Sequence, residues 1–119
     1  MCQRAFGSYF APLAGVAMSD FEWSRGEPGV FQSSTAAERG FCRNCGTPLS
    51  FRYTSSDRIS VSIGSLDTPG AVEMKEQLGT ESMIPGFKTL HALPARTTEE
   101  DFAQYELQAV RSLQSPEGA

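Results

Sequence analysis

Cys42 and Cys45 stand two residues apart in the stretch Phe41-Cys42-Arg43-Asn44-Cys45-Gly46-Thr47. That spacing lets both sulfurs face one metal ion. Gly46, directly after the second cysteine, suits a left-handed backbone position. Such a turn brings backbone N–H groups close to the thiolates. Three kinds of chemistry fit the pair. It can pack as two small hydrophobes. It can act as a redox pair, which wants the first cysteine at a helix N-terminus. It can hold zinc, for which one such turn supplies two of the four ligands of a closed tetrahedral site. Gly46-Thr47-Pro48 and an alternating segment come next, which disfavours a helix and favours the zinc turn. Two further ligands are then required from elsewhere.

The other chemistry-bearing residues are sparse. Three cysteines make no disulfide framework, and a close pair in a reducing compartment points to metal or catalysis. Cys2, beside the initiator, says little by itself. His91 is the single histidine and has no visible partner, so a surface or packing role is expected. Arg4 can hold an anionic group or make a surface ion pair. Asp67 reads as a turn residue before Pro69 rather than a base. Glu81 and Ser82 carry no assignable chemistry, and no residue is assigned a catalytic role.

These residues must be positioned by short extended segments. Residues 9–17 read as a buried strand, with Pro12 marking an edge or bulge. Residues 21–25 alternate as a half-buried strand, and Gly26-Glu27-Pro28-Gly29 is a turn. Residues 30–34, 38–42, 49–53 and 58–64 are further extended segments, the last with Ile59, Val61 and Ile63 on one face. Strands separated by Gly, Pro and Ser turns predict an antiparallel sheet. Phe6, Tyr9, Phe10, Trp23 and Phe51 are the expected core. Thr97 caps a helix that opens with Glu99, Glu100 and Asp101. Phe102, Tyr105, Ala109, Val110 and Leu113 form its apolar stripe. The expected division is a β region over 1–95, a helix over 96–114 and a tail over 115–119.

The 119 residues, 39% hydrophobic and 20% charged, suit one folded domain. A net charge of -4 argues against nucleic acid as a partner. No apolar run is long enough for a membrane helix, and no secretory signal is visible, so a cytoplasmic location is expected.

The stretch Arg39-Gly40-Phe41-Cys42-Arg43-Asn44-Cys45-Gly46-Thr47-Pro48-Leu49 resembles the signature of the glutathione-dependent formaldehyde-activating enzyme family, which includes a vertebrate centromere protein. Trp23-Ser24-Arg25-Gly26-Glu27-Pro28, Ile63-Gly64-Ser65-Leu66-Asp67-Thr68-Pro69 and Thr80-Glu81-Ser82-Met83-Ile84-Pro85 agree in order. The resemblance implies a mainly β fold, a small antiparallel β-tent-like zinc domain with a C-terminal helix. It implies a structural zinc on Cys42, Cys45 and a second cysteine pair. It also implies that Cys2 ends the cysteine segment of a second, catalytic zinc. The implied activity is that of a carbon–sulfur lyase acting on a thiol–aldehyde adduct, with glutathione or another small thiol as partner. The alternative is a non-catalytic, zinc-stabilised structural or interaction module.

The chain departs from that pattern. The remaining cysteines of the two zinc segments have no counterpart, and Met1 falls inside the second one. The expectation is a chain shortened at its N-terminus, or a short form that pools cysteines in a homodimer. Gln77-Leu78-Gly79 and Gly86 stand where many relatives carry bulky aromatic groups, which alters the expected pocket.

Overall fold

The computed structural model describes residues 1–107 and 110–114. The chain divides into two compact units, Met1–Ser82 and Met83–Ala119.

The first unit opens with a short helix, α1 (Cys2–Phe6), closed by Gly7 at φ 59, whose N–H returns to the Gln3 carbonyl. Glycine tolerates that left-handed position at little steric cost. Five strands come after it: β1 (Leu13–Ala17), β2 (Gly29–Gln32), β3 (Ala37–Phe41), β4 (Pro48–Tyr53) and β5 (Arg58–Ser62). They form one antiparallel sheet in the order β1-β5-β4-β3-β2. β2 to β5 run as a meander, and β1 lies against the far side of β5. The mainly β, antiparallel reading of the sequence is therefore the observed fold. Pro12 precedes an edge strand, as a residue without an N–H should.

Cross-strand chemistry fixes the register. Glu38 faces Arg52 and accepts a hydrogen bond from it at 3.0 Å. A half-exposed pair of this kind contributes about 0.2–1 kcal/mol. Arg39 faces Phe51, and its guanidinium lies 4.8 Å from the ring centroid. Gly29 faces Phe41. A Cβ on Gly29 would stand 2.4 to 2.9 Å from three atoms of the Phe41 ring, so only glycine leaves the ring this seat. The register slips between Gly40 and Phe41, just before the cysteine turn. Such a bulge bends a strand and re-aims the residues after it.

The interior differs from the expected aromatic core. Among the described hydrophobic residues only Ala37 and Ile59 are buried. Tyr9, Phe10 and Trp23 are exposed, while Phe6 and Phe51 are half-buried. Much of the interior is polar: Arg39, Ser50 and Ser62 are buried. Ser62 Oγ donates to the Pro48 carbonyl at 2.6 Å and lies 2.8 Å from Ser65 Oγ. Residues 21–25 are not a strand. The chain leaves β1 through a 3-10 turn at Met18–Asp20 and gains no ladder partner. The Phe21 and Trp23 rings, two residues apart as in a strand, pair with each other edge to face at 4.9 Å instead.

The second unit holds a 3-10 segment, Phe87–Ala92, and a helix, α2 (Thr98–Gln104). The predicted cap is present as a full capping box. Thr97 Oγ1 accepts from the Glu100 N–H, and the Glu100 carboxylate accepts from the Thr97 N–H. The helix is shorter than the apolar stripe suggested. It stops at Gln104, and Glu106 takes a left-handed φ of 57. An isolated helix of a few turns is marginal without packing. Tyr105, Val110 and Leu113 of the stripe are exposed. Ala109 and the tail at 115–119 lie outside the described residues. No helix among the described residues is long and apolar enough to cross a membrane.

Candidate functional site

The cysteine turn is the loop of the β3–β4 hairpin. Cys42 follows the last residue of β3, and Pro48 opens β4. The Cys42 N–H donates to the Thr47 carbonyl at 2.9 Å, which carries the ladder one step past the strand end. The Gly46 N–H donates to the Cys42 carbonyl at 2.8 Å, and Gly46 adopts φ 78. The left-handed glycine expected from the sequence is thus in place. Cys45 is exposed, and its Sγ lies 3.0 Å from Thr47 Oγ1. The Thr47 hydroxyl, then the Thr47 N–H and the Cys42 thiol, draw the Cys45 thiol below the ordinary cysteine range. A thiol held this way is prepared to be a metal ligand or a nucleophile.

Two thiols from one turn are half of a closed zinc shell. Among the described residues no group of three or more His, Cys, Asp or Glu side chains comes together. The residues present therefore do not by themselves fit a closed zinc site.

Cys2 sits in α1, apart from the hairpin loop in sequence and in element. It is half-buried, and its Sγ accepts a hydrogen bond from Arg39 Nη2 at 3.3 Å. Arg39 is the pivot of the first unit. It extends from β3 on the same face as Ala37, two residues earlier. Its Nε donates to Ser33 Oγ at 3.2 Å, its plane covers the Phe51 ring, and Nη2 reaches Cys2. Nη1 is buried without an acceptor. A second bond ties α1 down, from Gln3 Nε2 to the Ser82 carbonyl at 2.8 Å.

Between α1 and the β2–β3–β4 end of the sheet lies a groove of about 820 Å³. That volume suits a small-molecule site, for which about 300–1,000 Å³ is usual. Phe6, Phe31 and Phe41 supply apolar wall, Arg4 and Arg39 supply positive charge, and Gly46 brings the cysteine turn to its margin. Among the described residues no aspartate, glutamate, histidine or cysteine lines it.

Of the sequence-predicted residues, Cys42 and Cys45 share one loop, and Cys2 belongs to a different element. His91 is exposed in the 3-10 segment of the second unit, and Asp67 is exposed. Glu81 and Ser82 are exposed, and Ser82 contributes its carbonyl to Gln3. Arg39 is not singled out by the sequence. The available signal was its place two residues from Ala37 in an alternating strand, where an inward side chain is normally apolar. Nor is α1 expected from the sequence, where its one cue is Gly7 as a helix stop.

The molecule is thus a small antiparallel β-sheet protein with a cysteine-turn hairpin beside a positively charged groove. Residues 1–82 match the family described as glutathione-dependent formaldehyde-activating enzyme, and the chain belongs to that family. No curated protein and no solved structure gives a significant match.

Proposed function

We propose that the protein binds a small thiol in the groove and acts on its adduct with an aldehyde, as a carbon–sulfur lyase. The bond concerned joins the thiol sulfur to the aldehyde carbon. It forms as the S–H proton passes to the carbonyl oxygen, and it breaks in the reverse direction. The observation that carries this reading is the family match over residues 1–82, which includes every residue lining the groove. The apolar wall and the two arginines suit a small thiol with an anionic end. Cys42 and Cys45 enter as half of a structural zinc site that two further ligands would have to complete.

A second reading is a non-catalytic, zinc-stabilised binding module. It is favoured by the composition of the groove wall, which offers no histidine, carboxylate or thiol as acid, base or nucleophile among the described residues. One experiment separates the two. Carbon-13 formaldehyde and glutathione are mixed with the protein, and exchange between free aldehyde and S-hydroxymethyl adduct is followed by NMR. The lyase reading expects exchange faster than in buffer, in proportion to protein concentration. Binding of glutathione with no change in exchange rate decides for the module.

A further inference from the structure

We propose that Arg39, with Arg4 at the groove wall, forms an oxyanion subsite that takes a carboxylate or phosphate on a small, partly apolar ligand. Such a subsite deepens the thiol–aldehyde reading and rests on it for the groove, naming the residues that would hold the ligand's anionic end.

Arg39 is only 7% exposed, and it carries a charged, forked guanidinium. Burying such a charge is costly unless an anion accompanies it. Among the described residues no carboxylate forms an ion pair with it. Its acceptors are a serine hydroxyl and the Cys2 sulfur, and Nη1 has none. Arg52 provides the internal contrast. Its Nε is also unmatched, but its charge is met by Glu38 on the neighbouring strand.

The surroundings repeat the pattern. The molecule carries net charge -4, yet the groove wall holds two arginines and, among the described residues, no acidic side chain. Gln3 and Ser33 add neutral hydrogen-bonding groups on the same wall, and Phe6, Phe31 and Phe41 leave apolar surface for the ligand body. An unmatched, buried donor in a cleft of that polarity is what a forked guanidinium shows when its oxyanion is absent. Nη1 is enclosed, so an incoming oxyanion reaches it only when a neighbouring group moves aside. α1 is tethered nearby, to the sheet by the Arg39–Cys2 bond and to the Thr80–Ser82 turn by the Gln3–Ser82 bond.

The test is a titration of the full chain with sodium 3-mercaptopropionate, its neutral amide and inorganic phosphate. Affinity is read by calorimetry and the Arg39 Nε–H resonance by NMR. The acid should bind at least about tenfold more tightly than the amide, the loss expected for one charge-assisted hydrogen bond. It should also shift the Arg39 resonance. Arg39→Lys, which keeps the charge without the fork, should weaken the acid and leave the amide unchanged. Arg4→Gln, at an exposed residue, should weaken the acid less and lower its salt dependence. If Arg39→Lys does not fold, the wild-type resonance and Arg4→Gln decide. Phosphate binding that shifts Arg39 marks phosphate as a second source of the oxyanion, and its absence restricts the subsite to carboxylates. Equal affinity for acid and amide, or binding that leaves Arg39 unmoved, overturns the proposal. Anion binding without exchange of formaldehyde removes only the lyase reading.

Discussion

At the scale of single residues, Cys45 and Arg39 are opposite cases. Cys45 is exposed, and Thr47 stabilises its thiolate, with the hydroxyl as the larger influence and the N–H next. A lowered value means that the thiolate fraction at neutral pH exceeds that of a free cysteine. With metal removed, alkylation of Cys45 by iodoacetamide should rise with pH through a midpoint below that of an unperturbed cysteine thiol. Thr47→Val removes the hydroxyl and should move that midpoint upward. An unchanged midpoint would show that the hydroxyl does not act on the sulfur. The cysteine turn was legible in the sequence because its chemistry is local: two ligands, a spacing and a glycine. Arg39 was not, because its meaning depends on Ser33, Phe51 and Cys2. These stand 6, 12 and 37 positions away and meet it only when the sheet and α1 are assembled.

The elements divide in the same way. β2, β3, β4 and β5 were readable from alternation and from the turn residues between them, to within a residue or two at most ends. The same alternation over residues 21–25 misled, since a period of two describes which side chains share a side and not whether a neighbouring strand is there to pair. The α2 cap was readable as a local hydrogen-bonding motif. The helix length was not, because no packing partner for the stripe is encoded in its own residues. The pairing of β2 with β3 makes a sharper claim. The Phe41 ring occupies the space a side chain at position 29 would need. Gly29→Ala should therefore cost about 1–3 kcal/mol, the usual penalty of overpacking, read from urea denaturation. Gly64→Ala serves as the comparison, since a Cβ there meets nothing within 4 Å. Equal stability of the two variants would mean that the ring swings aside freely.

For the whole molecule, composition pointed to a folded domain and the spacing of strands and turns to a mostly β one, but neither to the character of its interior. An oily centre of Phe6, Tyr9, Phe10, Trp23 and Phe51 was the expectation. In the first unit the large rings stay at the surface or half-buried, and the sheet is held by hydrogen bonds, a cation–π contact and glycine seats. That balance of buried groups bears on calorimetry. The heat capacity gained on unfolding grows with the apolar surface newly wetted and is reduced by the polar surface. A protein whose buried side chains, among the described residues, are Ala37 and Ile59 beside Arg39, Ser50 and Ser62 should lie below the usual ~12–15 cal/mol/K per residue. Its stability should then change gently with temperature, and differential scanning calorimetry measures this directly. A value within the usual range would point to apolar contacts made by a partner. Below it, this sheet would resist cooling better than an oil-filled one of equal strength, because little of its cohesion comes from the force that fades in the cold.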